Sequence, residues 1–483
     1  MPAALTLYDS YSRSLRPFDS IEPGTVRLYS CGPTVYNYAH LGNLRAYVFT
    51  DTLSRTLAWK GYEVEHVINI TDVGHLTSDA DAGDDKMEAA ARAEAKSIWD
   101  IAAHYTQAFK ANISDLNIRE PGRWSVATDH IADMLAYAAA IAPAHCYELD
   151  SGLYFDVTTV PDYGRLARSV DEEGESRIDP VAGKRHAQDF AIWRKSADGE
   201  RRQMEWDSPW GRGAPGWHLE CSVMSRKYLG DQFDIHTGGI DHREIHHPNE
   251  IAQNQAHSGT ACTGANWWMH NNFLVDRGGK MSKSKGGFTT LKSLTDRGIH
   301  PLAYRLMCLS AHYRSELEFS PENLLAALTR LRRLVIAVGA LRDTTVGALR
   351  DRDAPDAIVD HPLLVEFDAA LSDDLNTPRA LTLLDRAIAD KALPAAQRLG
   401  LVARMDQALG LDLLALERGD LRIRPAGANL AESDVEARVT ERKAARAAKD
   451  FATSDRIRDE LVAAGVEIMD GDPLGWDWAI RLD

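Results

Sequence analysis

Cysteine is scarce in this chain. Five cysteines in 483 residues, scattered and odd in number, do not make a disulfide framework. A reducing, cytoplasmic location is therefore the expectation. Long hydrophobic runs are missing too. Met1–Ser20 has no apolar core of the kind a secretory leader needs. The longest apolar stretch, Met134–Ala142, falls short of the ~20 residues that cross a bilayer, so no membrane association is expected. Pro143 follows that stretch and predicts a helix end there. Internal repeats and extended low-complexity tracts are absent. Positive charge is also in deficit: 55 Lys and Arg against 71 Asp and Glu leave a formal net charge of −16. That is a poor footprint for a nucleic-acid binder, although net charge says little about local fields. Basic residues do cluster at Arg330, Arg332 and Arg333, and again at Arg442, Lys443 and Arg446. Charge alone neither establishes nor excludes a nucleic-acid partner.

What is present is a large core in prospect, with 44% hydrophobic residues and a length that predicts about three domains. Val26–Ser30 reads as a strand, Cys31-Gly32-Pro33 as a turn, Leu44–Trp59 as a helix and Val64–Ile70 as a second strand. Strand, helix and strand at this spacing form a βαβ unit and imply a parallel sheet. From Asp84 to Asn112 the Ala-, Lys- and Glu-rich composition predicts a long helix. Pro121–Gly213 is mixed, with a helix near Ala127–Ile141 and a strand at Leu153–Val157, and reads as an insertion. Strand-like runs return at Phe233–His236 and Phe273–Val275. A sheet begun early and resumed late predicts a split nucleotide-binding fold. Beyond Pro321 the pattern is helical to about Leu416. Arg422–Asn429 reads as a linker, followed by a basic helix, a helix at Thr453–Ala464 and a strand-like Val466–Met469.

Two segments carry candidate chemistry. The first is Thr34-Val-Tyr-Asn-Tyr-Ala-His40-Leu41-Gly42-Asn43, between a strand and a helix. A helix N-terminus presents unpaired N–H groups and the positive end of the macrodipole, which suits an anion. Gly42 allows close backbone approach, and His40 can donate to a phosphate. The second is Lys280-Met281-Ser282-Lys283-Ser284, set between paired glycines. Such a cationic loop could close over a triphosphate and offset charge on departing pyrophosphate. Each segment alone also fits a structural histidine or a solvated basic turn.

Together they resemble the two signatures of class I aminoacyl-tRNA synthetases, His-Leu-Gly-Asn at 40–43 and Lys-Met-Ser-Lys-Ser at 280–284. Further segments are similar to the cysteinyl-tRNA synthetase family: Cys31-Gly-Pro-Thr34, Trp217-His-Leu-Glu-Cys221-Ser222, Phe233 through Asp241, and His246-His-Pro-Asn-Glu250. Asp373–Pro378 and Arg442–Arg458 resemble that family's helical and C-terminal regions. The resemblance implies an α/β fold with a Rossmann-type catalytic domain split over 1–120 and 215–320. A connecting insertion would occupy 121–214, an all-α tRNA-binding bundle 321–421, and a small anticodon-binding domain 430–483.

The implied activity is ATP-dependent joining of L-cysteine to cysteine tRNA, with Mg²⁺ accompanying ATP. By the same resemblance one Zn²⁺ per chain is held by Cys31, Cys221, His246 and Glu250, a set of S, N and O donors that suits this ion. His40, Asn43, Lys280 and Lys283 are the expected catalytic residues. Gly239 and Asp241 join the ATP site, and Cys31, Thr34 and Trp217 the cysteine site. A monomer is expected. Asn43 stands where the family often has histidine, Thr237 where glycine is expected, and Pro248 where glutamate is usual. Pro248 favours a first helical turn and pushes His247 out of α geometry. This predicts His246 just before a helix and makes an i, i+4 pairing with Glu250 unsafe, so His242 and His247 are alternative ligands. Trp476 and Trp478 fit either base stacking or core packing. Two other functions share these features: a ligase joining cysteine to a small amine such as an amino sugar, and a non-catalytic tRNA-binding paralogue. The first has little use for the helical C-terminal part, and the second should lack a signature lysine or zinc ligand.

Overall fold

Val26, Leu28 and Tyr29 lie fully buried in the strand Thr25–Ser30, because a parallel strand is covered on both faces. In the computed structural model of the chain, residues 3–73, 87, 90, 91, 97–167, 183–197, 199, 202–276, 279, 280, 290–345 and 361–480 are described. Thr25–Ser30 is the middle of a five-stranded parallel sheet. The strand order is Ala265–Asn271, Phe233–Gly239, Thr25–Ser30, Glu63–Ile70 and Arg123–Val126. Early strands thus extend to one side of Thr25–Ser30 and late strands to the other. That reversal opens a crevice at the carboxyl ends of the strands, where ligands bind in open α/β sheets. The helix Leu41–Trp59 leaves from this end.

The late half of the sheet differs from the expectation. Phe273–Val275 does not join it; Leu274–Asp276 instead pairs with Leu317–Glu318 and Gly279–Lys280 in a small separate sheet. The fifth core strand is Ala265–Asn271, with Trp268 fully buried. Its tryptophans and its polar end, His270 and Asn271, hid the alternation a strand usually shows. The helix expected over 84–112 is seen at Met87, Ala90 and Ala91 and continuously at Ile98–Asp115; the rest lies outside the described residues. Pro143 does not end its helix, which runs Ile131–His145. In the last turn a proline forfeits a single backbone bond, and the Cys146 N–H still reaches the Ala142 carbonyl.

Between the sheet halves, Cys146–Leu149, Gly152–Phe155, Phe190–Lys195 and Gly213–Pro215 form an antiparallel sheet. Helices Pro321–Thr344, Pro362–Ser372, Thr377–Ala389 and Ala395–Leu409 follow. The chain continues with Glu432–Ala447, Phe451–Ala463 and the hairpin Val466–Ile468 with Trp476–Trp478. Trp476 and Trp478 are buried in that hairpin and pack rather than stack on a ligand. The basic clusters are also largely structural. Arg332 pairs with Asp477 at 2.7 Å, Arg330 with Asp385 at 2.6 Å, and Arg442 with Asp470 at 3.1 Å. Among the described residues no helix is long and apolar enough to cross a membrane.

One buried histidine makes the sheet acid-sensitive. His66 Nε2 lies 2.8 Å from Ser30 Oγ, and burial pulls its imidazole down to about 4, beyond what Asp51 restores. The folded value is below the ordinary ~6.5, so the contribution is complete above that pH and is lost as pH falls toward 4. The loss amounts to about 3 kcal/mol at most. Urea midpoints measured from pH 7 to 4 should fall accordingly, and His66→Gln should flatten the slope. An unchanged slope in that variant would show that other groups set the acid response.

Candidate active site and metal centre

A cavity of about 380 Å³ lies at the crevice, lined among others by Thr34, His40, Asn43, Trp217, Gly239 and Asp241. Of the residues predicted from the sequence to touch substrate, Cys31, Thr34, His40, Asn43, Trp217, Gly239 and Asp241 therefore line one cavity. The route into it depends on two glycines. A Cβ on Gly32 would sit 1.5 Å from the Asn69 carbonyl oxygen, so no side chain fits where the chain leaves Cys31. On Gly42 it would come within 3.0 Å of the His40 ring, which occupies that space.

His40 caps the helix Leu41–Trp59. Its Nδ1 accepts the Asn43 N–H at 3.1 Å, and its own N–H donates to Asn43 Oδ1 at 3.3 Å. The pair is a capping box, which explains why asparagine serves at position 43. Because Nδ1 accepts, neutral His40 carries its proton on Nε2. The residues flanking the Lys-Met-Ser-Lys-Ser segment are placed on either side of it. Gly279–Lys280 pairs with Val275–Asp276, and Thr290 bridges to His40. Lys283 lies outside the described residues, as does the side chain of Lys280. Thr237 fills its position with a hydroxyl that donates to Ser30 Oγ at 2.7 Å and meets Thr50 Oγ1 at 3.1 Å.

Behind Trp217 the donors of Cys31, Cys221, His246 and Glu250 come together, one ligand atom from each lying within 4.8 Å of the others. All four residues are buried. Pro248 does not separate His246 from Glu250. The helix begins at His246, so Pro248 falls in a first turn whose N–H groups need no intrahelical partner. His246 Nε2 stands 3.0 Å from Glu250 Oε1, an i, i+4 pair. The expectation that Pro248 would displace His246 from the helix is corrected on this point. Of the alternative ligands, His247 belongs to a second group with Cys31, His236 and Glu250. His242 joins neither group among the described residues; its Nδ1 accepts the Gly239 N–H at 3.1 Å.

Charge and burial conflict in this cluster. Burial pushes the Cys31 thiol up, and the hydrogen bond to Cys31 together with burial pushes Cys221 up further. Burial also opposes ionisation of Glu250, but His236 and His246 override it and hold the carboxyl at about 2. Glu250 in turn outweighs the burial of His246 and raises it to about 10. Glu250 Oε1 faces His246 at ion-pair distance yet lacks a hydrogen bond, as does the buried His236 Nδ1. Two buried thiols, an imidazole and a carboxylate oxygen without a hydrogen bond suit a borderline-soft cation.

The sequence did not reveal the histidine shell around this cluster. His236 Nε2 lies 3.0 Å from Glu250 Oε2, and His218 Nδ1 lies 2.9 Å from His246 Nδ1. His270 Nε2 meets His247 Nδ1 at 2.7 Å, while His247 Nε2 is 3.3 Å from Cys31 Sγ. Such partners orient ligand side chains. Their signal was faint: His218 adjoins Trp217, and His236 ends an apolar strand run.

Residues 17–329 match the family model described as tRNA synthetases class I (C) catalytic domain. The cysteine–tRNA ligase of Novosphingobium aromaticivorans is 62% identical over 99% of this chain and 97% of its own length. That of Zymomonas mobilis is 58% identical over 99% and 98%. Methionyl-tRNA synthetase of Mycobacterium tuberculosis, solved with methionyl-adenylate, shares the fold at a TM-score of 0.55 and 14% identity, over 82% of this chain and 93% of that one. With near-complete coverage at such identity, and with His40, Gly42 and Asn43 of the first signature lining the crevice, this chain belongs to the cysteine–tRNA ligase family of class I aminoacyl-tRNA synthetases.

Proposed function

We propose that this chain activates L-cysteine with ATP and transfers the cysteinyl group to the 3′-terminal ribose of cysteine tRNA. The observation that carries this reading is the convergence of Cys31, Cys221, His246 and Glu250 directly behind the nucleotide crevice. The cysteine carboxylate attacks the α-phosphorus of ATP, the Pα–O–Pβ bond breaks, and pyrophosphate leaves with Mg²⁺. The terminal ribose 2′-hydroxyl then attacks the adenylate carbonyl, and AMP departs.

Phosphoryl-type transfer is mainly positioning and charge stabilisation. His40 Nε2–H and the Asn43 amide would donate to phosphate oxygens. Lys280 and Lys283 would offset charge on the departing pyrophosphate. Gly239 allows close approach of the nucleotide, and Asp241 would accept from the ribose hydroxyls. Thr34, Trp217 and Cys31 would border the amino acid. Cys31, Cys221, His246 and Glu250 would hold one Zn²⁺, which would supply a soft Lewis-acid centre favouring a thiol over the harder serine hydroxyl. The catalytic halves are assigned to 1–120 and 215–320, the insertion to 121–214, and the tRNA contacts to 321–421 and 430–483. A monomer is the proposed state.

With Trp476 and Trp478 buried, the exposed aromatic of the C-terminal unit is Phe451, at 61%. It lies two residues after Lys449, and anticodon bases stack on such rings. Phe451→Ala should raise the KM for tRNA by about tenfold or more. Equal losses in charging and in pyrophosphate exchange would instead indicate a folding defect.

The direct test of activation is exchange of labelled pyrophosphate into ATP. Label should enter ATP when cysteine is present and not without it. Absence of exchange in folded, metal-replete protein would overturn the reading. Exchange without tRNA charging would favour the amino-sugar ligase.

A further inference from the structure

We propose that Tyr38, fixed by His104 and Tyr105 at the cavity rim, is the stacking platform for the 3′-terminal adenine of tRNA. This rests on the tRNA-charging reading above and names where the incoming end docks.

Tyr38 borders the cavity and is 45% exposed, whereas Tyr105 beside it is buried. An aromatic side chain left half in solvent would ordinarily sample several rotamers. This one is held at its hydroxyl, which lies 3.1 Å from His104 Nε2. Its ring also meets Tyr105 at 5.0 Å and 87°, and His104 at 5.8 Å and 75°. His104 and Tyr105 in turn contact each other edge to face at 4.9 Å. Three mutually perpendicular contacts among three rings fix an exposed plane, and a fixed plane loses little entropy when a base lies on it.

The position selects the occupant. Tyr38 is two residues before His40, so a ring lying on it is adjacent to the proposed phosphate cap. Its supports, His104 and Tyr105, belong to the helix Ile98–Asp115. That helix joins Glu63–Ile70 to Arg123–Val126, the strands on one side of Thr25–Ser30. The proposed nucleotide and ribose contacts, Gly239 and Asp241, lie at the end of the strand on the other side and just beyond it. The adenine of ATP is thus committed to the opposite wall. A second base, brought to the rim with its ribose directed at the adenylate, meets Tyr38. Stacking on aromatic side chains is the usual way in which unpaired nucleotides are held.

The test compares wild type, Tyr38→Ala and Tyr38→Phe in three assays: charging, pyrophosphate exchange, and inhibition of charging by tRNA lacking its terminal adenosine. In Tyr38→Ala, kcat/KM for tRNA should fall about tenfold or more beyond any change in exchange. Tyr38→Phe, which keeps the plane and loses the His104 bond, should retain most of the activity. Truncated tRNA should bind wild type and Tyr38→Ala equally well. Loss of ATP affinity in exchange to the same degree as loss of charging would place the ATP adenine on Tyr38 and overturn the proposal. So would unaltered charging in Tyr38→Ala, or truncated tRNA that still discriminates the two proteins. If wild type failed to charge any tRNA, the reading under test would be the charging function itself. Direct binding of intact and truncated tRNA would then still decide the stacking.

Discussion

Cys221→Ser is expected to leave a folded protein with little bound metal and to lower kcat/KM for cysteine in pyrophosphate exchange by more than about 100-fold. The exchange of sulfur for oxygen is nearly isosteric, so packing around this buried position changes little. What changes is ligand chemistry. Serine cannot ionise as a thiol does, and the remaining Cys31, His246 and Glu250 lose one soft donor. The magnitude follows from comparison: removing only a hydrogen-bonded partner of a ligand costs ~10–100-fold, and removing the ligand itself should cost more. Elemental analysis and exchange kinetics on the same preparation check it. A variant with full metal content and ordinary cysteine kinetics would show that Cys221 is a buried structural cysteine.

Lys283→Ala should lower the rate of adenylate formation about 10²–10³-fold, the range seen when one preorganised donor to a developing anion is removed. Among the described residues, the cavity wall presents no lysine or arginine. Charge on pyrophosphate must then be met by histidine, backbone amides and the metal accompanying ATP, or by a cation brought from elsewhere. The segment between Lys280 and Thr290 is tied at its far end by the Thr290 bridge to His40. It therefore has both the tether and the lysines to supply that cation. Single-turnover measurement of adenylate formation isolates the step. An unchanged rate would remove Lys283 from the site.

Much of this site was legible in the sequence, for physical reasons that differ by residue. The central βαβ unit was readable because Val64, Val67, Ile68 and Ile70 give its second strand β-branched apolar character despite Glu65, His66 and Asn69. His40 was readable because the capping geometry and the anion site share one helix start. The four metal-binding candidates were not readable from spacing, since Cys31 and Cys221 come from distant segments that only the sheet order brings together. Family resemblance supplied them. The strand Ala265–Asn271 was missed because its tryptophans and terminal amide mask the period of a strand. Pro248 misled through local preference: a proline disfavours helix before it, but a first turn tolerates it. The histidines around Glu250 emerged only in three dimensions, where His218 and His236 converge from separate elements on His246 and Glu250, and His270 meets His247.

The most direct measurement is charging of total tRNA with labelled cysteine, with labelled serine in parallel, followed by counting of acid-precipitable label. Incorporation of cysteine and not of serine is the expected result. It would join the activation chemistry of the crevice to the thiol selectivity of the Cys31–Cys221–His246–Glu250 cluster. Comparable incorporation of serine, or none of cysteine by protein that catalyses cysteine-dependent exchange, would contradict it.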